Sequence, residues 1–264
     1  MGVFSGKFTQ AAGWALSAWM LVALTGCGRH HHPTQPAPQA TAPEASADTM
    51  PAASSSATGR IPITPAPPGG VDEEDLRYIA RHKPILSEKG LASWYTAPYK
   101  GRKAANGQVF SDSALTAAHR TLPMGSLIVV TNTETGQASA MRITDRGPFV
   151  EDRLIDMTIA SAKAVGVYRK GTAEVRIDVF KTPKPIATGG RWCVQIGALS
   201  TEAYAIRLKK QLRDKYSDAT VIEFPGENSF WVRIRPEGDD RKQAEYIAKH
   251  LKLREGKGYL TRLD

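Results

Sequence analysis

Residues 89–182 contain two side chains suited to proton transfer and two adjacent aromatic side chains. Asp145 precedes a turn at residues 146–148, and its carboxyl could either exchange a proton with a ligand or hydrogen-bond the backbone of that turn. His119 titrates near neutrality, so it could serve as acid and base, or it could pack in a core against a carbonyl. Trp94 and Tyr95 have rings that stack on sugars or fill a core.

Two arginines adjoin these residues in the chain, Arg120 after His119 and Arg146 after Asp145. A guanidinium binds carboxylates and phosphate-like groups, so each arginine would either contact an anionic ligand or lie solvated at the surface. The run His30-His31-His32 lacks further ligands, and the later histidines are isolated from cysteine and from each other. We therefore expect no metal and no cofactor.

The N-terminus has the order of an export signal. Lys7 precedes an apolar run, residues 11–23, that is too short to span a bilayer comfortably. The sequence LTGC at residues 24–27 resembles the lipobox of bacterial lipoproteins. It predicts a signal peptide over residues 1–26 and lipidation of Cys27, which several acyl chains would hold stably in a membrane. The alternative is an ordinary signal peptide with a chance cysteine. On the same resemblance, Gly28 favours the outer membrane.

Charge and cysteine content limit the classes of partner and the means of stabilisation. The chain has 264 residues, a net charge of +9 and two cysteines. If Cys27 is lipidated, Cys193 has no partner, and packed cores must stabilise the fold without a disulfide. A mild positive field outside the cytoplasm suits the cell wall or a membrane surface. We do not expect nucleic acid as a partner.

Composition distinguishes two segments that precede the first domain. Residues 27–70 are rich in Pro, Ala, Ser and Thr and show no apolar periodicity, which predicts a disordered tether. Residues 71–88 form a lead-in, with a helix over residues 72–82 whose acidic start and basic end suit the helix dipole. Pro84 follows it.

Short β runs and turn signals predict a compact β-barrel over residues 89–182. Alternating or branched runs occur at residues 127–130, 138–143 and 175–179, and Gly-containing turns separate them. A single helix is predicted over residues 159–165.

Residues 191–264, which follow a linker at residues 183–190, predict an α+β domain. Strands are expected near residues 192–197, 219–224, 229–235 and 257–262, and helices near residues 201–214 and 239–251. This βαββαβ order predicts a four-stranded sheet with both helices on one face, as in ferredoxin-like and RNA-recognition folds. The short linker predicts independent movement of the two domains unless a hydrophobic interface joins them.

Four motifs in the first domain resemble those of the rare lipoprotein A (RlpA) family: residues 92–95, 105–107, 115–123 and 145–149, in family order. The resemblance implies a six-stranded double-psi β-barrel that acts on peptidoglycan as a lytic transglycosylase. It places a candidate catalytic set at position 108, His119 and Asp145. The family has glutamate at position 108, but this chain has Gln108, and an amide cannot transfer a proton.

The activity implied by the resemblance cleaves the bond from N-acetylmuramic acid to N-acetylglucosamine without water and leaves a 1,6-anhydro end. It needs a proton-transferring carboxyl. We predict that Asp145 is this acid and base and that Gln108 orients the substrate. The predicted glycan contacts in the barrel are Trp94, Tyr95 and Arg146. The alternative is a barrel that binds glycan without cutting it.

Residues 191–264 resemble a SPOR domain, which binds septal peptidoglycan stripped of its peptide stems. Strand alternation turns Gln195, Trp231 and Arg233 away from the helices, where they would contact glycan or form a solvated sheet face. The combined resemblance implies a lipid-anchored endolytic transglycosylase that faces the periplasm at the division septum, with proteins of the division machinery as further partners. The alternative is a non-catalytic lipoprotein that tethers a membrane to septal peptidoglycan.

Overall fold

The computed structural model describes residues 70–95, 101–225 and 229–264, except for the side chains of residues 224 and 225. These residues belong to one compact unit, residues 57–264. The predicted signal peptide, Cys27, the tether and its histidine run lie outside the described residues. Within the described ranges, no helix is long and apolar enough to cross a membrane.

The lead-in helix α1 (Glu73–Arg81) is capped and anchored by its own acidic residues. The Asp72 carboxylate accepts a hydrogen bond from the backbone N–H of Asp75, and the Asp75 carboxylate accepts one from the N–H of Asp72, which completes a capping box. The buried carboxylate of Asp75 also accepts from Arg142 Nη2 at 2.6 Å. The predicted helix is therefore present and is fastened to the barrel.

Six strands close into a barrel in the spatial order β1-β5-β2-β4-β3-β6. They are β1 (Leu86–Trp94), β2 (Thr116–His119), β3 (Leu127–Asn132), β4 (Ala138–Asp145), β5 (Arg153–Met157) and β6 (Ala173–Lys181). Helix α2 (Ile159–Ala164) follows β5. Alternate residues of the strands point inward and form one apolar core. The barrel is confirmed, although β1 begins before the predicted domain start at residue 89.

A second sheet has the order β10-β7-β9-β8. Its strands are β7 (Trp192–Leu199), β8 (Thr220–Pro225), β9 (Phe230–Arg235) and β10 (Lys257–Arg262), and its helices are α3 (Glu202–Lys215) and α4 (Arg241–His250). Both helices pack on one sheet face, which carries Val194, Ile196, Val232 and Ile234. The predicted α+β fold is therefore confirmed, with element bounds within a few residues of those expected.

Candidate functional site

A row of paired residues crosses four neighbouring strands of the barrel. In register, Ser93 on β1 pairs with Asp156 on β5, Asp156 with Ala118 on β2, and Ala118 with Asp145 on β4. The chain neighbours of Asp156 lie fully buried in the barrel core, so Asp156 points outward. We call these four residues the carboxylate row; its register, which shifts between Ala117 and Ala118, brings two carboxyl-bearing residues to either side of one strand.

Asp145 uses one carboxylate oxygen to fix its surroundings. Its Oδ1 accepts hydrogen bonds from the backbone N–H groups of Arg146 (2.8 Å) and Ala105 (3.0 Å). No described residue donates a hydrogen bond to Oδ2. Burial raises the pKa of Asp145 above its ordinary value, while the two backbone hydrogen bonds act in the opposite direction. The carboxyl is therefore both a turn cap and a group with one oxygen available for proton transfer.

Gln108 lies on the loop that bonds to Asp145. Its Oε1 accepts from Asn106 Nδ2 at 2.9 Å, and its backbone N–H donates to Asn106 Oδ1 at 3.0 Å. The backbone N–H of Asn106 donates to the Thr144 carbonyl at 3.1 Å, so the loop is fastened to β4 beside Asp145. The side chain of Gln108 is exposed, and its role as a substrate-orienting group stays a prediction.

His119 is buried with both ring nitrogens engaged. Nδ1 accepts hydrogen bonds from the backbone N–H groups of Thr121 (3.2 Å) and Leu122 (3.1 Å), and Nε2 lies 3.3 Å from Glu88 Oε2. We assign the proton to Nε2, since Nδ1 is an acceptor. Burial lowers the pKa of His119, partly offset by Glu88. This geometry favours a packed, neutral histidine, and a catalytic role for His119 stays a prediction.

Arg120 and Arg146 are partly buried and donate to backbone carbonyl groups. Arg146 donates to the carbonyl oxygens of His119 (3.0 Å), Leu122 (2.7 Å) and Asp264 (2.7 Å). Burial lowers the pKa of Arg146 to about 10. Arg120 Nη1 donates to the carbonyls of residues 148 and 153 at 2.7 and 2.8 Å. Both guanidinium groups hold the turn after Asp145 in place, while glycan contact by Arg146 stays a prediction.

The two candidate stacking residues pack within the barrel. The Trp94 ring lies 4.9 Å from the Tyr168 ring and joins the barrel core, and the Tyr95 ring lies 5.0 Å from that of Phe110. Trp94 Nε1 is buried and has no hydrogen-bond partner among the described residues, which exclude the adjoining residues 96–100. Core packing thus accounts for Trp94, and sugar stacking by either ring stays a prediction.

Sequence reasoning missed Asp156. Its Oδ1 accepts from Ser93 Oγ at 2.6 Å and its Oδ2 from Arg153 Nη2 at 3.1 Å. Burial raises its pKa, with Arg153 acting against the rise. One signal was present in the sequence: a carboxylate set between the apolar residues 155 and 157 of a strand.

On the SPOR sheet, the three predicted glycan contacts share the face opposite the helices. Arg233 Nε donates to Gln195 Oε1 at 2.9 Å. The Trp231 ring lies directly over Gly197, where an added Cβ would come within 2.0 Å of the ring. Gln195, however, is only 2 % exposed. The face is therefore not the open, solvated surface that alternation alone suggested.

The barrel covers that sheet face. The Phe149 ring, in the turn after Asp145, packs edge-on against Trp231 at 5.4 Å and lies 5.9 Å from the Tyr259 ring. Arg120 lies 5.6 Å from the centre of the Tyr259 ring, and its backbone carbonyl accepts from the N–H of Arg262 at 2.9 Å. We expected the two domains to move independently unless a hydrophobic interface joined them. The contacts of Phe149 with Trp231 and Tyr259 form such an interface.

Among the described residues, no group of three or more His, Cys, Asp or Glu side chains could hold a metal ion. The site consists of carboxyl, amide, hydroxyl and guanidinium groups.

Comparisons with known proteins agree on both domains. A family model described as "Lytic transglycolase" matches residues 87–177, and one described as "SPOR domain" matches residues 188–262. The "Endolytic peptidoglycan transglycosylase RlpA" of Neisseria meningitidis is 32% identical over 170 residues, 62% of this chain and 71% of the relative. The protein of the same description from Vibrio cholerae is 40% identical over 121 residues, 44% of this chain and 46% of the relative.

A "Probable endolytic peptidoglycan transglycosylase RlpA" of Synechocystis is 47% identical over 92 residues, 35% of this chain. The matched region spans only 46% and 29% of the Vibrio and Synechocystis relatives. Among solved structures, a Streptomyces papain inhibitor aligns at a TM-score of 0.31 and 18% identity over 37% of this chain and 97% of its own, too weak a likeness to bear on the site.

Proposed function

The chain belongs to the RlpA family, and we propose that it is an endolytic peptidoglycan transglycosylase. Its substrate would be glycan strands without peptide stems, cut between N-acetylmuramic acid and N-acetylglucosamine. The observation that carries the proposal is the Asp145 carboxyl, whose Oδ1 is fixed by two backbone N–H groups while no described residue donates to Oδ2. Such a group is positioned and still able to exchange a proton.

The proposed reaction begins with Asp145 protonated. Burial raises its pKa and so favours the acid form. Asp145 gives its proton to the leaving glycosidic oxygen as the bond from C1 breaks. The 6-hydroxyl oxygen of the muramic acid then bonds to C1 and loses its proton to a carboxylate, which leaves a 1,6-anhydro end. Water is not consumed.

Gln108 supports a second candidate function. Its exposed amide replaces the only carboxyl that the family motif would place on this loop, and an amide cannot transfer a proton. In that case the chain would be a non-catalytic lipoprotein that binds stripped glycan. Both candidates keep the SPOR domain as the peptidoglycan-binding module. In both we propose a lipid anchor at Cys27, an outer-membrane location and enrichment at the septum.

Digestion of peptidoglycan sacculi stripped of stem peptides tests the proposal. The chain lacking residues 1–27 would be incubated with the sacculi, and 1,6-anhydro ends would be measured by mass spectrometry. We expect such ends from the parent and none above background from Asp145→Asn. Sacculi that the parent binds but does not cut, and that only Gln108→Glu cuts, would instead establish the non-catalytic function.

A further inference from the structure

We infer that Asp156 is the second carboxylate of this site and acts together with Asp145 on the glycan. The inference rests on the proposed transglycosylase function and supplies the base that Gln108 cannot provide. It starts from the register of the strands, which sets Asp156 and Asp145 on either side of Ala118.

The backbone spacing of the two residues is compatible with a pair of carboxyls that flanks one glycosidic bond. Neighbouring strands lie about 4.8 Å apart, so the backbones of two residues separated by one strand lie roughly 9.6 Å apart. Pairs of catalytic carboxyls in glycan-cleaving enzymes lie about 5–9.5 Å apart. Between the pair stand Ala118 and the backbone of Gly147, where an added Cβ would lie 3.8 Å from that of Ala118. These are the two smallest residue types, so little side-chain volume stands between the two positions.

The hydrogen-bond partners of the two carboxyls give them different roles. Oδ2 accepts from the Arg153 guanidinium and Oδ1 from the Ser93 hydroxyl, and both contacts oppose the rise in pKa that burial causes. Among the described residues, only backbone N–H groups donate to Asp145. Asp145 therefore protonates the leaving oxygen, and the Asp156 carboxylate takes the proton of the 6-hydroxyl as its oxygen bonds to C1. Solvent exchange returns the proton from Asp156 and reprotonates Asp145 before the next cycle.

The barrel contains a matched control for this carboxylate. Asp178 on β6 is 8 % exposed, as is Asp156. Its Oδ1 accepts from Ser87 Oγ at 2.6 Å, and its Oδ2 accepts from Arg176 Nε at 2.9 Å. The same Ser–Asp–Arg arrangement thus occurs twice, but only Asp156 lies in the carboxylate row. Asn substitution at Asp178 imposes a similar structural cost without touching the proposed chemistry.

The experiment compares Asp156→Asn and Asp178→Asn on stripped sacculi, with folding checked by thermal unfolding. We expect Asp156→Asn to lower the rate of anhydro-end formation at least about 100-fold. The fall of that rate at acidic pH, where the carboxylate of Asp156 is protonated, should also disappear. Asp178→Asn should stay within about threefold of the parent at equal folded fraction, and Asp156→Glu should recover part of the rate and restore its fall at acidic pH. Equal, small losses in the two Asn variants would overturn the inference. A parent that forms no anhydro ends would instead refute the proposed function.

A separate observation supports a second inference: we propose that the docked arrangement of the two domains is a closed state. Cys193, Gln195 and Thr261, on the sheet face opposite the helices, are 0, 2 and 1 % exposed. That face carries the predicted glycan contacts, and the barrel turn with Phe149 occupies it. A glycan strand and the barrel therefore cannot occupy this face together.

Aromatic and polar contacts hold the closed state. Phe149 contacts two SPOR rings, and the Arg146 guanidinium reaches the Asp264 carbonyl at 2.7 Å. Lys257 of β10 forms an ion pair with Glu151, two residues beyond Phe149. Glycan binding to the SPOR face would break these contacts and uncover the turn beside Asp145, so that recognition of stripped glycan would open the barrel site.

Phe149→Ala tests the closed state, with Val150→Ala as its control because Val150 is exposed and adjacent. We expect Phe149→Ala to bind stripped sacculi about fivefold more tightly, since two aromatic contacts that oppose opening are lost. Proteolysis within residues 183–190 should accelerate, while unfolding stays cooperative. Val150→Ala should match the parent in both. Faster linker cleavage with unchanged binding would overturn the inference that the barrel and the glycan compete for the SPOR face. If neither cleavage nor binding changes, the closed state itself is overturned.

Discussion

Replacement of His119 separates a structural histidine from a catalytic one. In His119→Ala, the backbone N–H groups of Thr121 and Leu122 lose their acceptor. An unsatisfied buried donor costs about 1–3 kcal/mol, and removal of the imidazole adds a cavity. We expect a loss of about 3–5 kcal/mol in the free energy of unfolding, a large part of the roughly 5–15 kcal/mol typical of a domain.

His119→Asn should cost far less. The Asn Oδ1 occupies nearly the position of Nδ1 and has two lone pairs, so it can accept from both N–H groups. The contact with the half-buried Glu88 is lost, for about 1 kcal/mol, and the cavity is smaller than the one that alanine leaves. Urea unfolding of the parent and both variants measures these differences. Folded His119→Asn should keep its rate of anhydro-end formation within about threefold. A stable His119→Asn variant that loses 100-fold or more would show that the imidazole moves a proton.

The parent and His119→Asn also differ in how their stability should depend on pH. Burial lowers the pKa of His119 below its ordinary 6.5, so the unfolded chain binds this proton before the folded chain does. The contribution of His119 to stability is therefore complete above about pH 6.5 and declines as the pH falls below it. Between pH 7.5 and 5.5, the melting temperature of the parent should fall further than that of His119→Asn. Parallel curves would contradict a buried neutral imidazole.

Three further changes test other parts of the structure. Gly197→Ala places a Cβ 2.0 Å from the Trp231 ring. We expect the free energy of unfolding in urea to fall by about 1–3 kcal/mol and the tryptophan emission to change. An unchanged emission spectrum would contradict the packing of Trp231 on Gly197. Asp75→Asn removes the charged partner of Arg142 and should lower the free energy of unfolding by about 1.5–3 kcal/mol in the same assay. A variant as stable as the parent would show that this pair does not hold α1 on the barrel. Cys27→Ser in the full chain should move the protein from the membrane to the soluble fraction; continued membrane retention would argue against lipidation.

The sequence predicted the elements better than their arrangement. Helix α1 was predicted because its charge order lies within eleven consecutive residues, and the α+β domain because its apolar stripes repeat at helix and strand periods. Strands β1, β2 and β5 were not predicted individually. Strands β2 and β5 are short, four and five residues long, and β2 is buried throughout, so it shows no alternation.

The site was harder to predict because it depends on strand register. Asp145 and Asp156 lie eleven residues apart in the chain, and only pairing through β2 places them in one row. The partners of Arg146 belong to two domains, with Asp264 118 residues away. Local sequence therefore revealed which groups could do chemistry, but not which of them hold the fold.

The burial of Cys193 makes the chain's own thiol a reporter of domain separation. The side chain is fully buried on the covered sheet face, and burial raises the pKa of its thiol to about 11. While the domains are docked, neither oxidants nor alkylating reagents reach a reactive thiolate. Once residues 1–27 are removed, Cys193 is the sole cysteine. Its alkylation rate, divided by that of an accessible thiol, then gives the equilibrium constant for exposure under native conditions.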